Sequence, residues 1–413
     1  MTHSIPLFYL HSVGFYSHFS LQLPQSYPVV DTHPDPVTTT DLRLLAPWPA
    51  LEAFAKQKTE NLEQQSDHDH GHIPYVLLLL GYLEQWKASH EGQVPSTYKE
   101  KTEFRELVRS GARTNLPEGG EENYDEAVAA VLKSLNPPSI SSGVREVFNA
   151  PECQNLTASS PNFWLIANAI STFHQKHAVL PLPGSVPDMK AQSADYIALQ
   201  NIYKTKARED VAEVTAIVRA TEKSFSRSKP IEDKEIEAFC KGASWIKLVR
   251  GRPLHIARPG ERVSFGERAK FACNSLTNPD SLILHYIGFL ACDSFTASHV
   301  LDGLNGAPQP PGLHDVDADA EKVTGIANVF IDGIINEAGT TIEEPEHSEI
   351  GESVGKIVAE MVRAGGAELH NVAALTGGLV SQEVIKVVTK QYVPVDNTCI
   401  FDAIASKSSV LKL

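Results

Sequence analysis

An apolar stripe over residues 193–219 is the feature that most constrains how this chain can fold. Its members recur at spacings of 3, 4, 4, 4, 3 and 4 residues: Tyr196, Leu199, Tyr203, Ala207, Val211, Val214 and Val218. Residues at these spacings lie on one face of an α-helix, and a continuous apolar face must be buried against other elements. The spacing therefore predicts one long amphipathic helix that forms part of a helical core.

The helical pattern extends over most of the chain, from residue 46 to residue 345. Pro74 stands where a first helical turn would begin and is followed by the apolar run of 76–86. Another helix is predicted after Pro161. Further helices are predicted over 232–241, 279–303 and 318–338.

The two ends of the sequence differ from this helical middle. Residues 7–10 form a short apolar run, and 15–23 alternate loosely between apolar and polar, which is typical of half-buried strands. Near the other end we predict a helix over 352–364 stopped by Gly365-Gly366, a second over 370–390 and a strand over 398–401.

This order of elements predicts an α/β protein in which one layer is interrupted by a helical insertion. We expect residues 1–45 to close the first part of the α/β half. Residues 46–345 would then form the helical insertion, and residues 346–413 would return to the α/β half.

Charge and cysteine usage exclude several classes of partner. The formal net charge is −15, which disfavours binding to a nucleic-acid backbone or docking on an anionic membrane. The five cysteines are odd in number and far apart, which disfavours a disulfide framework. With no recognisable signal peptide, we expect a protein of the cytoplasm, the nucleus or both, without nucleic-acid or membrane partners.

The residue chemistry bears on three kinds of active site. The alternating histidines of residues 67–72 (DHDHGH) are compatible with a metal, but the favoured interpretation is a solvated loop that caps the following helix. Cys240 and Cys292 are candidate nucleophiles, although both positions favour a core role. No G-x-G-x-x-G or G-x-x-x-x-G-K-[ST] phosphate loop occurs.

Two glycines in the last predicted helix, Gly377 and Gly378, destabilise a helix relative to alanine. We predict that they allow close backbone packing, with contact to a ligand as the alternative.

Two segments resemble a known family. Residues 161–210 contain PNFWLIANAISTF, LPLPGSVPDM and SADYIALQNIYKTKARED, and residues 370–391 read HNVAALTGGLVSQEVIKVVTKQ. The first resembles the helical insertion of regulatory subunits of neddylation-activating enzymes. The second is similar to a glycine-pair helix found across ubiquitin-like-modifier activating enzymes.

The resemblance implies a fold and a function. The fold would be an incomplete adenylation-type, Rossmann-like layer interrupted by a mainly helical domain that resembles a catalytic-cysteine half-domain without the cysteine. The chain would be no enzyme on its own. It would pair with a catalytic subunit that adenylates a ubiquitin-like modifier and takes it as a thioester. The complex would use ATP and Mg, with no cofactor bound by this chain.

The resemblance also implies roles for particular residues. A contact with the catalytic subunit is implied at Asp188, Met189, Tyr196, Leu199, Gln200 and Asn201. The alternative is that Tyr196 and Leu199 only pack the helix inward. Structural roles are implied for Gly377, Gly378, Gln382 and Glu383.

One departure from the family pattern concerns the beginning of the chain. Family members carry a glycine-rich strand–turn–helix unit and most of the parallel sheet in front of the matching region, so we expect an N-terminally truncated form. A stand-alone helical interaction module, or a truncated pseudo-enzyme derived from the same fold, is the alternative function. A metal enzyme that uses the histidine segment is a third hypothesis.

Overall fold

The computed structural model describes residues 5–34, 40–114, 119–255, 260–299 and 307–413. The strands are β1 Leu7–Val13, β2 Tyr16–Gln22, β3 Tyr27–Val30, β4 Ile246–Val249, β5 Thr398–Asp402 and β6 Lys407–Leu411. The helices are α1 Pro49–Thr59, α2 Asp67–His70, α3 Tyr75–Ser89, α4 Tyr98–Ser110, α5 Glu122–Ser134, α6 Ser142–Asn149, α7 Pro151–Gln154, α8 Asn162–His177, α9 Ser193–Ser224, α10 Asp233–Lys241, α11 Ala269–Leu276, α12 Ile283–Ser298, α13 Val316–Ala338, α14 Glu346–Ala364 and α15 His370–Thr389.

These elements confirm the predicted class, an α/β protein with few strands and many helices. The predicted helices are all present, with ends that differ by a few residues. α12 is shorter than the predicted 279–303, and residues 300–303 lie outside the described residues. The predicted stop after α14 is confirmed, because Gly365 adopts a left-handed φ of 56° that glycine accommodates without strain.

The chain forms two compact units, which divide it differently from the predicted domains. One unit contains residues 1–29 and 249–413, and the other contains residues 30–248. The predicted boundaries at 45/46 and 345/346 do not coincide with this division. Helices α11–α13 were predicted as part of the insertion, but they share a core with α14 and with the strands of the first unit. Sequence periodicity identifies a helix without showing which layer buries it.

A four-stranded sheet of order β1-β2-β5-β6 organises the first unit. Successive side chains of β2 point to opposite faces of the sheet. The Ser17 hydroxyl lies 2.6 Å from that of Thr376 on α15, and the His18 ring lies 4.6 Å from Phe289 on α12. The sheet therefore lies between α15 and α12. All three pairings in it are antiparallel. A Rossmann-like layer consists mostly of parallel strands, so that layer stays a prediction.

The turn between β1 and β2 requires glycine. Gly14 has a φ of 54°, and a Cβ at this position would lie 2.9 Å from the Cβ of Ala364. Its N–H donates to the carbonyl of Ala367 at 2.9 Å. A two-residue hairpin loop with positive φ suits the right-handed twist of the strands, so Gly14 serves both the turn and the close approach of α14.

The second unit contains two apolar cores that share helix α9. Leu199 and Tyr203 are buried in a core with α3, whereas Val214 and Val218 are buried in a core with α8. The predicted stripe is thereby confirmed as an inward-facing surface. Because the helix is 32 residues long, one stripe contributes to both cores.

Candidate partner-contact surface

The predicted partner contact spans a loop and the first turns of α9, in the second unit. The hydroxyl of Tyr196 donates to the carbonyl of Pro187 at 3.4 Å, closing the loop onto the helix. The Gln192 side chain donates to Asp69 at 2.6 Å, and its backbone N–H donates to the carbonyl of His72. These bonds position the segment against the histidine-rich region.

The six predicted contact residues differ in exposure. Asp188 and Asn201 are exposed, and Tyr196 and Gln200 are half-buried. Met189 and Leu199 are 9% and 0% exposed in the core with α3. Leu199 presents no surface to a partner in this conformation and follows the alternative of packing inward, whereas Met189 presents only a small part of its surface.

Sequence reasoning missed an exposed apolar residue in the same segment. Ile197 is 55% exposed, although isoleucine usually lies inside proteins. Position 197 lies between the stripe positions 196 and 199 and therefore off the buried face of the helix. A large apolar residue at such a position could have predicted an exposed apolar contact from the sequence. Ile197 is the better candidate for an apolar partner contact.

Asp188 lines a cleft of about 980 Å³ within the second unit. Arg43 lies at this cleft with its guanidinium enclosed, bonded to Asp41 at 3.1 Å, to Asp210 at 3.4 Å and to the carbonyl of Leu180. Its charge is therefore neutralised by protein groups.

Glu126 from α5 and Tyr75 from α3 line the same cleft. The Glu126 carboxylate accepts the backbone N–H of Lys190 at 3.0 Å. Burial raises the pKa of Glu126, and the nearby charges of Glu122 and Asp188 raise it further. Burial, with the charge of Glu126, raises the pKa of Tyr75 to about 12. The carboxylate and the phenol thus lie within each other's electrostatic reach.

The histidine segment forms a short helix that neighbouring residues, Ser66, Glu121 and Tyr124, stabilise. Ser66 caps α2 by accepting the N–H of Asp69 at 3.1 Å. His70 is 3% exposed, with Nδ1 at 2.7 Å from Glu121 and Nε2 at 3.1 Å from the Tyr124 hydroxyl. The prediction of a solvated loop is wrong for His70, because a carboxylate and a phenol satisfy its buried ring.

The two outer histidines of the segment also contact each other. His68 and His72 stack with ring centroids 4.3 Å apart, and His72 Nδ1 lies 2.7 Å from the carbonyl of His68. Across the described parts of the chain, no group of three or more His, Cys, Asp or Glu side chains has the arrangement to hold a metal ion.

All five cysteines are free and buried. Burial raises the pKa of Cys153, Cys240 and Cys292 to about 12, and it also raises the pKa of Cys273 and Cys399. A nucleophilic cysteine needs the opposite shift. The predicted core role of Cys240 and Cys292 is confirmed, since each lies in an apolar core.

The glycine pair of α15 faces open space. A Cβ at Gly377 or Gly378 would meet no described atom within 4 Å. Close packing within the described part of this chain therefore does not explain the pair, and its structural role stays a prediction. Gln382 is exposed, whereas Glu383 is 8% exposed and accepts the N–H of Val395 at 2.7 Å and the ammonium of Lys386 at 2.6 Å.

The outward face of α15 is apolar. Leu375, Leu379, Ile385 and Val388 are all more than a third exposed. Among the described residues, α15 is the one helix whose length and apolar composition would allow it to cross a membrane. Its opposite face packs on β2 through Thr376, whose hydroxyl lies 2.6 Å from that of Ser17. The carbonyl of Val387 accepts the hydroxyl of Tyr27, the first residue of β3.

Comparison with known proteins assigns the family. No family model matches the chain. The NEDD8-activating enzyme E1 regulatory subunit of Danio rerio is 32% identical over 416 residues, which cover 99% of this chain and 73% of that protein. The chain belongs to the family of NEDD8-activating enzyme E1 regulatory subunits. The regulatory subunit AXL of Arabidopsis thaliana is 34% identical over 398 residues, covering 94% of this chain and 69% of the relative.

Membership of the regulatory-subunit family extends over both compact units. The Drosophila melanogaster regulatory subunit is 31% identical over 415 residues, again 99% of this chain. The matched residues therefore include the sheet, the two helical cores and the segment 188–201. The resemblance predicted from two segments is confirmed over nearly the whole sequence.

Proposed function

We propose that this chain is the regulatory subunit of a NEDD8-activating enzyme. It would bind a catalytic subunit in a heterodimer and support the ATP-dependent adenylation of the modifier and thioester formation by that subunit. The observation that carries the proposal is the identity of 32% to a regulatory subunit along 99% of the chain. The stand-alone interaction module is not favoured, since the relatives matching along this length carry the regulatory-subunit name.

The proposal includes a division of chemistry between the two subunits. Five buried cysteines with raised pKa values support a chain that does not itself carry the thioester. The absence of a glycine-rich phosphate loop from the sequence supports binding of ATP and Mg by the complex outside this chain. The four-stranded sheet and its flanking helices would belong to an adenylation-type half, and the protein would act in the cytoplasm, the nucleus or both.

Co-expression with the catalytic subunit of the same organism tests this function. We expect a one-to-one complex by size-exclusion chromatography with light scattering. With NEDD8, ATP and Mg, a thiol-sensitive adduct should form on the catalytic subunit, as seen on non-reducing gels.

The chain incubated without its partner is the control, and it should form no such adduct. Elution of the two subunits as separate species would contradict the proposed function. A thiol-sensitive adduct on this chain would contradict the division of chemistry while leaving assembly intact.

A further inference from the structure

A second cleft of the second unit, the α9–α10 cleft, has an apolar wall. It has a volume of about 1080 Å³ and is lined by residues of α9, α10 and the loop over 182–185. Val211 and Trp245 of its lining are half-buried, and Ala212 and Ala238 are exposed. Apolar atoms at this wall therefore stay in contact with solvent. Exposed apolar surface in a concave site is typical of a site that binds another molecule.

Among the described residues that line the α9–α10 cleft, three are acidic and three are basic. Two of the carboxylates are neutralised within the chain. The Lys241 ammonium lies 2.7 Å from the Glu237 carboxylate. The guanidinium of Arg219, which lies outside the lining, pairs with the Asp233 carboxylate. These two carboxylates therefore repel an acidic ligand much less than free charges would.

Lys204 and Arg208 are the cations that remain. Both are exposed, and neither side chain has a hydrogen bond or an ion pair to any residue that the structure describes. The remaining carboxylate, that of Asp31, accepts the backbone N–H of His33 at 3.0 Å. With the two pairs cancelled, two cations stand against one carboxylate. The cleft thus presents a positive charge in a chain whose net charge is −15.

The spacing of these cations determines the form of a matching ligand. Lys204, Arg208 and Ala212 follow one another on one face of α9, about 6 Å apart along the helix. Alternate side chains of an extended peptide point to the same side and lie about 7 Å apart. An extended segment that runs along α9 can therefore place two carboxylates against the two cations. Its next inward side chain then lies at the apolar wall.

We propose that the α9–α10 cleft binds an extended acidic segment of a protein partner. Two carboxylate side chains, two residues apart in that segment, pair with Lys204 and Arg208, and a neighbouring apolar side chain packs on the wall that contains Trp245. A protein matches this surface better than a nucleic acid does, because the cations are only two and the wall beside them is apolar. The inference goes beyond the proposed function, because it gives the second unit a peptide-binding site with a ligand of its own.

Fluorescence polarisation of a labelled synthetic peptide titrated with the full chain tests the inference. The peptide contains the sequence Leu-Ser-Glu-Ser-Glu-Ser-Leu, in which a leucine at each end serves either chain direction along α9. We expect saturable binding that weakens as the salt concentration is raised, because the cations are exposed. The same peptide with glutamine in place of both glutamates is the ligand control and should bind about tenfold more weakly.

Lys204→Gln and Arg208→Gln each remove one cation and leave the apolar wall unchanged. We expect each to weaken binding of the glutamate peptide about threefold, and the double variant about tenfold. Both side chains are exposed, so the variants should retain the fold, which thermal unfolding verifies. Lys223→Gln is the matched control, because Lys223 is an exposed cation of the same helix outside the cleft. Its affinity should equal that of the unmodified chain.

Three results would overturn the inference. The first is failure of the glutamate peptide to bind the unmodified chain. The second is equal binding of the glutamate and glutamine peptides, since carboxylates would then not be recognised. The third is equal weakening by Lys223→Gln and the cleft variants, since only general attraction of charge would then be at work. Each result leaves assembly with the catalytic subunit untouched, so the proposed function is tested separately.

Discussion

His18 illustrates how single residues in the first unit depart from an ordinary apolar core. It is 2% exposed on β2, and neither ring nitrogen has a hydrogen-bond partner among the described residues. The rings of Tyr286 and Phe289 lie 5.4 and 4.6 Å away. Burial lowers the pKa of His18 to about 3; nearby His11 also lowers it, whereas the charge of Asp293 opposes the shift. The native state therefore holds a neutral imidazole.

This histidine predicts acid sensitivity. Below its ordinary pKa of 6.5 the unfolded chain binds a proton at His18, whereas the folded chain does not until about pH 3. The free energy of unfolding therefore falls as pH is lowered through this window. We expect His18→Phe to reduce the slope of that decrease by about 1.4 kcal/mol per pH unit.

Urea unfolding at a series of pH values measures this slope. His370→Phe replaces an exposed histidine and is the control, with an expected slope equal to that of the unmodified protein. An unchanged slope in the His18 variant would show that the ring is already protonated or hydrated in the folded state.

At the scale of elements, α9 has one buried face and one exposed face, and the exposed face carries part of the predicted partner contact. Its stripe stabilises both cores of the second unit, so the stripe face is not available to a partner. The exposed positions Ile197 and Asn201 lie on the same first turns but away from the buried stripe. Stability and recognition are therefore separable by residue within one predicted contact segment.

Two alanine substitutions in α9 test this separation. Leu199→Ala leaves a cavity at a fully buried position, and we expect it to lower the free energy of unfolding by about 3 kcal/mol. Ile197→Ala should change stability by less than about 0.5 kcal/mol and should weaken binding of the catalytic subunit.

Chemical denaturation and titration with that subunit measure the two effects. Unaltered binding of the catalytic subunit by Ile197→Ala would show that Ile197 is not the apolar contact. A stable Leu199→Ala variant would contradict the packing described for the first core of the unit.

At the scale of the whole molecule, the two units differ in how many stretches of chain form them. The second unit is a single stretch of chain, residues 30–248, whereas the first is assembled from both ends of the sequence. The backbone N–H of Asp31 donates to the carbonyl of Trp245 at 3.2 Å, so the ends of the second unit lie side by side. Such a segment has its own cores and closes on itself, as independently folding domains do.

We predict that a polypeptide of residues 30–248 folds alone. Circular dichroism should show a helical protein with one cooperative thermal transition. Residues 249–413 without residues 1–29 are the contrasting polypeptide and should not unfold cooperatively, because β5 would lose its partner β2. A non-cooperative transition for residues 30–248 would show that the second unit depends on the first.

The sequence by itself determined the longer helices, the strands β1, β2 and β5, the α9 stripe and the family. Periodicity and capping are local properties of the sequence. The stripe from Tyr196 to Val218 and the end of the helix at Gly365 could therefore be predicted from the sequence alone. The family followed from short segments whose residue order is specific. The contact residues taken from those segments stay a prediction, and Leu199 lies in a core.

Only the tertiary structure decided which residues from distant parts of the chain meet. Helices α11–α13 pack in the core of the sheet because burial against β-strands depends on packing partners far away in sequence. The cleft of Tyr75, Glu126 and Asp188 combines three segments whose separation leaves no pattern in the sequence. The open space beside Gly377 and Gly378 could likewise not be predicted from the sequence. A pair of glycines permits a close approach but does not show that a neighbour is present.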